Sequence, residues 1–215
     1  MNESMMFARI RDQVAAQFPS SRPPAPVQVC HAPTLAEWRA KHKAEIEQAL
    51  AEQRKMLLKK RQELLDWNAP DRAKFMTAFG LPSDTDANRA AMADRIDREL
   101  ALNSKMTVDN FVPGDVGRAD YAYVYPDDAT HTIHLDADFW AAPMTGTDSK
   151  AGTLCHEMSH FDDIGGTRDK FLDYASNNKV YGISDSLGLA SARPDLALKH
   201  ADSFEYWCED AYAPH

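Results

Sequence analysis

The 215-residue chain is poor in cysteine, glycine and positive charge. Three cysteines, Cys30, Cys155 and Cys208, are too few and too scattered for a disulfide framework, and their odd number leaves a thiol unpaired. No apolar run approaches the roughly 20 residues that cross a bilayer, so membrane insertion is not expected. The N-terminal stretch lacks the continuous apolar core of a signal peptide, which implies folding in a reducing cytoplasm. Lys and Arg number 24 against 33 Asp and Glu, a formal charge of −9. Phosphate backbones are bound by clustered cations, so nucleic acid is not an expected partner. What remains is one globular domain, or one domain with a short appendage.

Residues 1–33 read as a leader or linker, because a short amphipathic stretch runs into Ser20-Ser21-Arg22-Pro23-Pro24-Ala25-Pro26, which favours extended backbone. Residues 34–215 form the expected domain. Thr34 and Glu37 have the spacing of a capping box, and Leu35, Trp38, Ile46, Leu50, Leu57 and Leu64 recur at near-helical intervals, which predicts a helix to about Asp66. Its Lys59-Lys60-Arg61 cluster reads as a solvated face. Pro70 and Gly80 bracket a second helix, and a third is expected from about Asp84 to Ser104. From Met106 onward β-branched and aromatic residues alternate with turn formers, predicting strands over Met106–Val112, Tyr121–Tyr125 and Thr132–Leu135. The fold class is therefore α+β, predominantly helical with a small sheet.

One stretch carries chemistry: Cys155-His156-Glu157-Met158-Ser159-His160. On a helix, residues four apart lie one turn above each other, so His156 and His160 can direct imidazole nitrogens at one metal ion. Glu157 can reach a water on that ion and act as general base. Imidazole and carboxylate donors that leave a position for water make zinc, one ion per chain, the expected metal. Gly165-Gly166 can end the helix and turn the chain back, and Asp169 follows as the first candidate for a third ligand, with Asp173 the alternative. Asp162 and Asp163 follow His160 too closely to reach the same ion. His131 and His134 would point to opposite faces of a strand. His200 belongs to no ligand pattern.

Tyr121-Ala122-Tyr123-Val124-Tyr125-Pro126, Thr132-Ile133-His134-Leu135, Gly146-Thr147-Asp148-Ser149, Ala151-Gly152-Thr153-Leu154 and the His-Glu-x-x-His segment occur in the order found in aspzincin metallopeptidases. The chain resembles that family, especially its deuterolysin and lysine-specific members, from about Trp67 to Trp207. Gly166-Thr167-Arg168-Asp169 resembles the second family signature. The resemblance implies a zincin-like domain, zinc ligands His156, His160 and Asp169, and Glu157 as base.

It also implies a tyrosine hydroxyl that steadies the oxyanion. In the family Tyr-Gly follows the aspartate closely, whereas here position 172 is Leu and Tyr-Gly stands at Tyr181-Gly182, as if about nine residues were inserted in a tolerant loop. Tyr181 is the candidate and Tyr174 the alternative. Asp202 and Glu205 resemble the paired carboxylates that, in lysine-specific members, receive the residue after the scissile bond. The implied activity is that of a zinc metalloendopeptidase on protein or peptide substrates, with lysine favoured after the cleaved bond. Asp136 stands where secreted members carry a disulfide cysteine. With no recognisable signal peptide, this fits a bacterial effector or toxin module exported by a dedicated secretion system and met by a cognate inhibitor or immunity protein. A zinc-binding interaction module with impaired turnover and a zinc amidase acting on cell-wall peptides are the alternatives.

Overall fold

The computed structural model describes residues 32–115, 117, 120–169, 171–173 and 178–212, with backbone alone for 171–173 and 178. Residues 1–31 of the expected leader, with Cys30, and the alternative tyrosine Tyr174 lie outside the described residues. Everything below concerns the unit Pro33–His215.

Helix α1, Leu35–Asp66, begins as its sequence predicts: Thr34 Oγ1 accepts from Glu37 N at 3.3 Å, and Thr34 N donates to Glu37 Oε2 at 2.8 Å. Its buried residues, Ile46, Ala49, Leu50, Gln53, Leu57, Lys60 and Leu64, recur at helical spacing, alternating steps of three and four from Leu50 onward, which keeps one stripe inward from Ile46 to Leu64. Lys60 corrects the expectation of a solvated basic face. It is fully buried, paired with Glu63 at 2.9 Å and with Asp210, and its ammonium lies 5.1 Å from the centroid of the Trp207 ring.

Helix α2, Ala69–Phe79, is capped by Asn68, which accepts from Asp71 N at 3.0 Å, and ends at Gly80. Gly80 has φ +83°, and a Cβ there would stand 1.9 Å from Ala190 O, so only glycine fits. Helix α3 spans Asp86–Asn103. The predicted strands shrink to β1 Phe111–Pro113, β2 Ala122–Tyr123 and β3 Ile133–Leu135. Met106 and Thr107 belong to no regular element and Val108–Asn110 form a short 3-10 helix instead, closed by a Thr107–Asn110 capping box. The sheet order is β1-β3-β2, with β1 parallel and β2 antiparallel to β3, so β2 is an edge strand.

After the short helix α4, Ala137–Ala141, comes α5, Lys150–His160. Nine of its eleven residues are buried, from Lys150 to Cys155, Glu157, Met158 and Ser159. A helix buried on nearly every side is a core helix. Leu154 and Met158 pack with Ile46, Phe111, Ile133 and Phe139, while Cys155 belongs to a second cluster with Leu57, Phe75, Ile96, Phe204 and Trp207. Helix α5 is thus short, and α1 is the long spine that runs past both clusters. A hairpin of β4 Phe171–Asp173 and β5 Asn178–Lys179 follows, then α6 Gly182–Ala192, α7 Pro194–Ala197 and α8 Ala201–Cys208. Among the described residues no helix is long and apolar enough to cross a membrane.

Candidate metal centre

Helix α5 is fastened at its start before it presents any ligand. Ser149 caps it, accepting from Gly152 N at 3.0 Å, and Glu209 accepts from Ser149 N at 2.9 Å and from Ser149 Oγ at 2.7 Å. A carboxylate is favoured there by the helix dipole. Gly152 makes room for it, since a Cβ would lie 1.9 Å from Glu209 Oε1.

His156 and His160 are the α5 residues that remain partly open, with ring centroids 4.8 Å apart. Beyond His160 the chain reverses. Gly165 N and Gly166 N both donate to Phe161 O, Gly166 has φ +56°, and Thr167 N donates to Ser159 O at 3.0 Å. Arg168 N then donates to Lys199 O at 3.0 Å, which fixes the next residue, Asp169, over the two imidazoles. Asp169 Oδ1 stands 3.5 Å from His156 Nε2 and 3.6 Å from His160 Nε2.

These three residues fit a zinc ion. Donors about 2.0–2.1 Å from a tetrahedral metal lie about 3.3 Å from one another, close to the observed separations. Asp169 Oδ1 is buried and accepts no hydrogen bond. Both Nδ1 atoms are occupied elsewhere, so both Nε2 lone pairs are left for a cation: His160 Nδ1 lies 3.1 Å from Thr167 O, and His156 Nδ1 lies 3.0 Å from Glu205 Oε2 and 3.1 Å from Asp202 Oδ1. Such outer hydrogen bonds set the tautomer and raise ligand basicity. Of Asp173, the other ligand candidate, the backbone is described, in β4.

The electrostatics make the same demand. Burial disfavours charge on His156, yet Asp169, Asp202 and Glu205 together hold its pKa well above the ordinary value. Burial and the neighbouring His156 bring His160 down to about 4. Burial opposes ionisation of Asp169, but the two histidines and Lys179 hold its pKa well below the usual carboxylate range. Asp202 is likewise lowered despite burial, through His156, whereas burial raises Glu205. Three carboxylates around two imidazoles call for positive charge at the imidazoles.

Glu157 is buried at the wall of a cleft of about 600 Å³ that also exposes His156, His160, Asp169, Tyr181, Asp202 and Glu205. Every sequence-predicted site residue whose side chain is described therefore meets in one place. Tyr181 donates from its hydroxyl to Asp169 Oδ2 at 3.2 Å, and Lys179 Nζ lies 3.0 Å from that hydroxyl. Asp202 has two tasks, since Oδ2 accepts from Gly182 N at 2.8 Å while Oδ1 faces His156. Residues 121–125, which include the edge strand β2, also line the cleft.

Three contributors carried no ligand or catalytic pattern in the sequence. Glu209 holds the start of α5, Lys179 approaches Tyr181 and Asp169, and His200 joins two walls of the cleft: its Nδ1 receives Ser203 N at the start of α8, and its Nε2 lies 3.2 Å from Val180 O. The signal available for His200 was its place just before Ala201-Asp202-Ser203, where a side-chain acceptor caps a helix. His131 and His134, by contrast, go separate ways: His131 pairs with Asp163 at 3.1 Å, and His134 stacks on Tyr123.

Comparison with known proteins agrees with this geometry. The sequence pattern of the family described as aspzincin, lysine-specific metallo-endopeptidase, matches residues 65–209. An extracellular protease of Aeromonas hydrophila is 35% identical over 141 residues, 66% of this chain and 37% of that protein. The peptidyl-Lys metalloendopeptidase of Grifola frondosa is 48% identical over 90 residues, 42% of this chain and 23% of that protein. The chain thus spans well under half the length of these curated relatives. A solved structure, described as a zinc peptidase from Grifola frondosa, superposes with a TM-score of 0.66 at 29% identity, covering 81% of this chain and 98% of the other. The fold is that of a zinc peptidase, as the sequence resemblance implies.

Proposed function

Since the chain belongs to the aspzincin metallopeptidase family, we propose that it is a zinc-dependent endopeptidase that hydrolyses internal peptide bonds and favours lysine just after the scissile bond. The observation that carries this reading is that Asp169 Oδ1 lies within 3.6 Å of both His156 Nε2 and His160 Nε2, in a cleft that Glu157 also lines.

His156, His160 and Asp169 would hold the zinc, which supplies Lewis acidity toward the scissile carbonyl and the attacking water. Glu157 takes a proton from that water onto its carboxylate and hands it to the leaving amine nitrogen. Tyr181 turns its hydroxyl from Asp169 to the carbonyl oxygen as negative charge develops there. The substrate lies extended along the open edge of β2, where backbone hydrogen bonds can position it. Its lysine ammonium enters the side of the cleft bounded by Asp202 and Glu205. These two carboxylates then serve both the imidazole of His156 and the substrate, and Glu205 spends only Oε2 on the imidazole.

Sequencing the products of denatured casein tests the reading. The expected result is cleavage that a chelator abolishes and zinc restores, with lysine in excess at the new N-termini. Cleavage without that excess would remove the lysine preference. Release of cell-wall peptides with casein untouched would make the chain an amidase. Asp169→Ala should lower zinc affinity at least about a hundredfold, as expected for loss of one of three protein ligands. Unchanged affinity would move the third ligand to Asp173.

A further inference from the structure

Among the described residues that line the cleft, Lys179 is the single Lys or Arg, set against eight carboxylates. Its placement is not left to a free side chain. Residues 179–181 are extended, so Lys179 and Tyr181 point to one side and Val180 to the other. Val180 is fully buried and its carbonyl lies 3.2 Å from His200 Nε2, which anchors the segment from behind. On the cleft side three polar atoms form a triangle: Lys179 Nζ is 3.0 Å from Tyr181 Oη and 3.5 Å from Asp169 Oδ2, and Tyr181 Oη is 3.2 Å from the same Oδ2. An ammonium has only hydrogens to offer, so the phenol oxygen must accept from Lys179 and give its own hydrogen away. A hydroxyl whose oxygen accepts from a cation is polarised and becomes a stronger donor.

We propose that Lys179 is a positioning residue for peptide hydrolysis, binding the Tyr181 oxygen so that the phenol meets the developing oxyanion as a held and strengthened hydrogen-bond donor. The inference rests on the assignment of Tyr181 given above. The resting contact with Asp169 is the place where the phenol waits. Lys179 keeps the hydroxyl near that place when its hydrogen turns to substrate, and its charge reaches the oxyanion only through the phenol.

The test uses the full zinc-loaded chain and a lysine-containing peptide. Steady-state kinetics are measured for Lys179→Met, Lys179→Arg, Tyr181→Phe and the Lys179→Met/Tyr181→Phe pair. The affinity of a phosphinic peptide, which mimics the tetrahedral state, is measured by calorimetry on the same proteins. For Lys179→Met, kcat and phosphinic-peptide affinity should each fall roughly tenfold, with KM within about twofold, as expected for a weakened transition-state hydrogen bond. Lys179→Arg should recover most of the loss. In the Tyr181→Phe background, Lys179→Met should change neither quantity further. A change in KM alone, or an equal loss with and without the phenol, overturns the inference. If Tyr181→Phe is slow while Lys179→Met is not, this inference alone fails. If Tyr181→Phe is itself fully active, the oxyanion assignment fails first and takes this one with it.

Discussion

At the scale of single residues, His156 shows how the site is held together. One ring nitrogen faces Asp169 and the other faces Asp202 and Glu205, so the imidazole sits between the carboxylate proposed as third ligand and a supporting pair. Removing the charge of one supporter should loosen the metal without touching it. For Asp202→Asn the zinc dissociation constant should rise about 10- to 100-fold, measured by competition with a chromogenic chelator. An unchanged constant would confine Asp202 to substrate recognition and to Gly182. Glu157 should behave in the opposite way: Glu157→Gln keeps its zinc and loses about 10²- to 10⁴-fold in kcat, because only the proton acceptor is gone. His156, Glu157 and His160 could be read directly, since helical spacing alone puts the two histidines on one face. Asp169 could be ranked first but not fixed, because nothing local determines that Arg168 will dock on Lys199 O and bring the following side chain back. Lys179, His200 and Glu209 act through partners 10 to 60 residues distant, and periodicity carries no trace of such pairings.

At the scale of elements, α5 has little freedom. Its two histidines open onto the cleft while the rest is packed against α1, the sheet and α8, and its first turn is gripped by Glu209. Gly152→Ala tests that grip through the sign of its effect. In an unconstrained helix the substitution would stabilise by about 0.5–1 kcal/mol. Here the new methyl must displace Glu209 from Ser149 and Asp148, so a loss of about 2–3 kcal/mol in urea unfolding is expected. A gain would mean that the glutamate is free to move aside. Helix limits were legible because particular residues mark them: Thr34, Pro70 and Gly80 stand where the sequence puts them, and α3, capped by Thr85, begins at Asp86, two residues after the expected start. Strands were harder to read. A sheet of two- and three-residue strands is defined by which segments meet, and the run from Met106 to Asn110 has strand composition but is taken by a capped turn.

At the scale of the whole molecule, two hydrophobic clusters share α1 and α5, and one buried cation, Lys60, sits between α1 and the C-terminal turn. Asp210, the counter-charge of Lys60, has its pKa brought down from 3.8 to about 2: burial opposes this, and Lys59 and Lys60 outweigh burial. A lowered carboxyl pKa contributes stability above the unfolded value and loses it as pH falls through the folded one. The contribution should therefore be complete above about pH 4 and vanish toward pH 2. Asp210→Asn should cost about 1–2 kcal/mol at pH 7, after discounting for the partly exposed carboxylate. The difference from the parent chain should close over that acid window, as followed by denaturant titrations at several pH values. A gap that persists at pH 2 would point to packing instead of charge. None of this was visible in Lys59-Lys60-Arg61, whose composition suggests a wet surface. Glu209 and Asp210 are joined by a single peptide bond, yet one clasps the helix that bears the histidines and the other neutralises Lys60 near the C-terminal end of α1. Any loosening of these two residues would thus be felt at the histidine-bearing helix and at α1 together, and the fluorescence of Trp207, two residues before Glu209, is placed to register both.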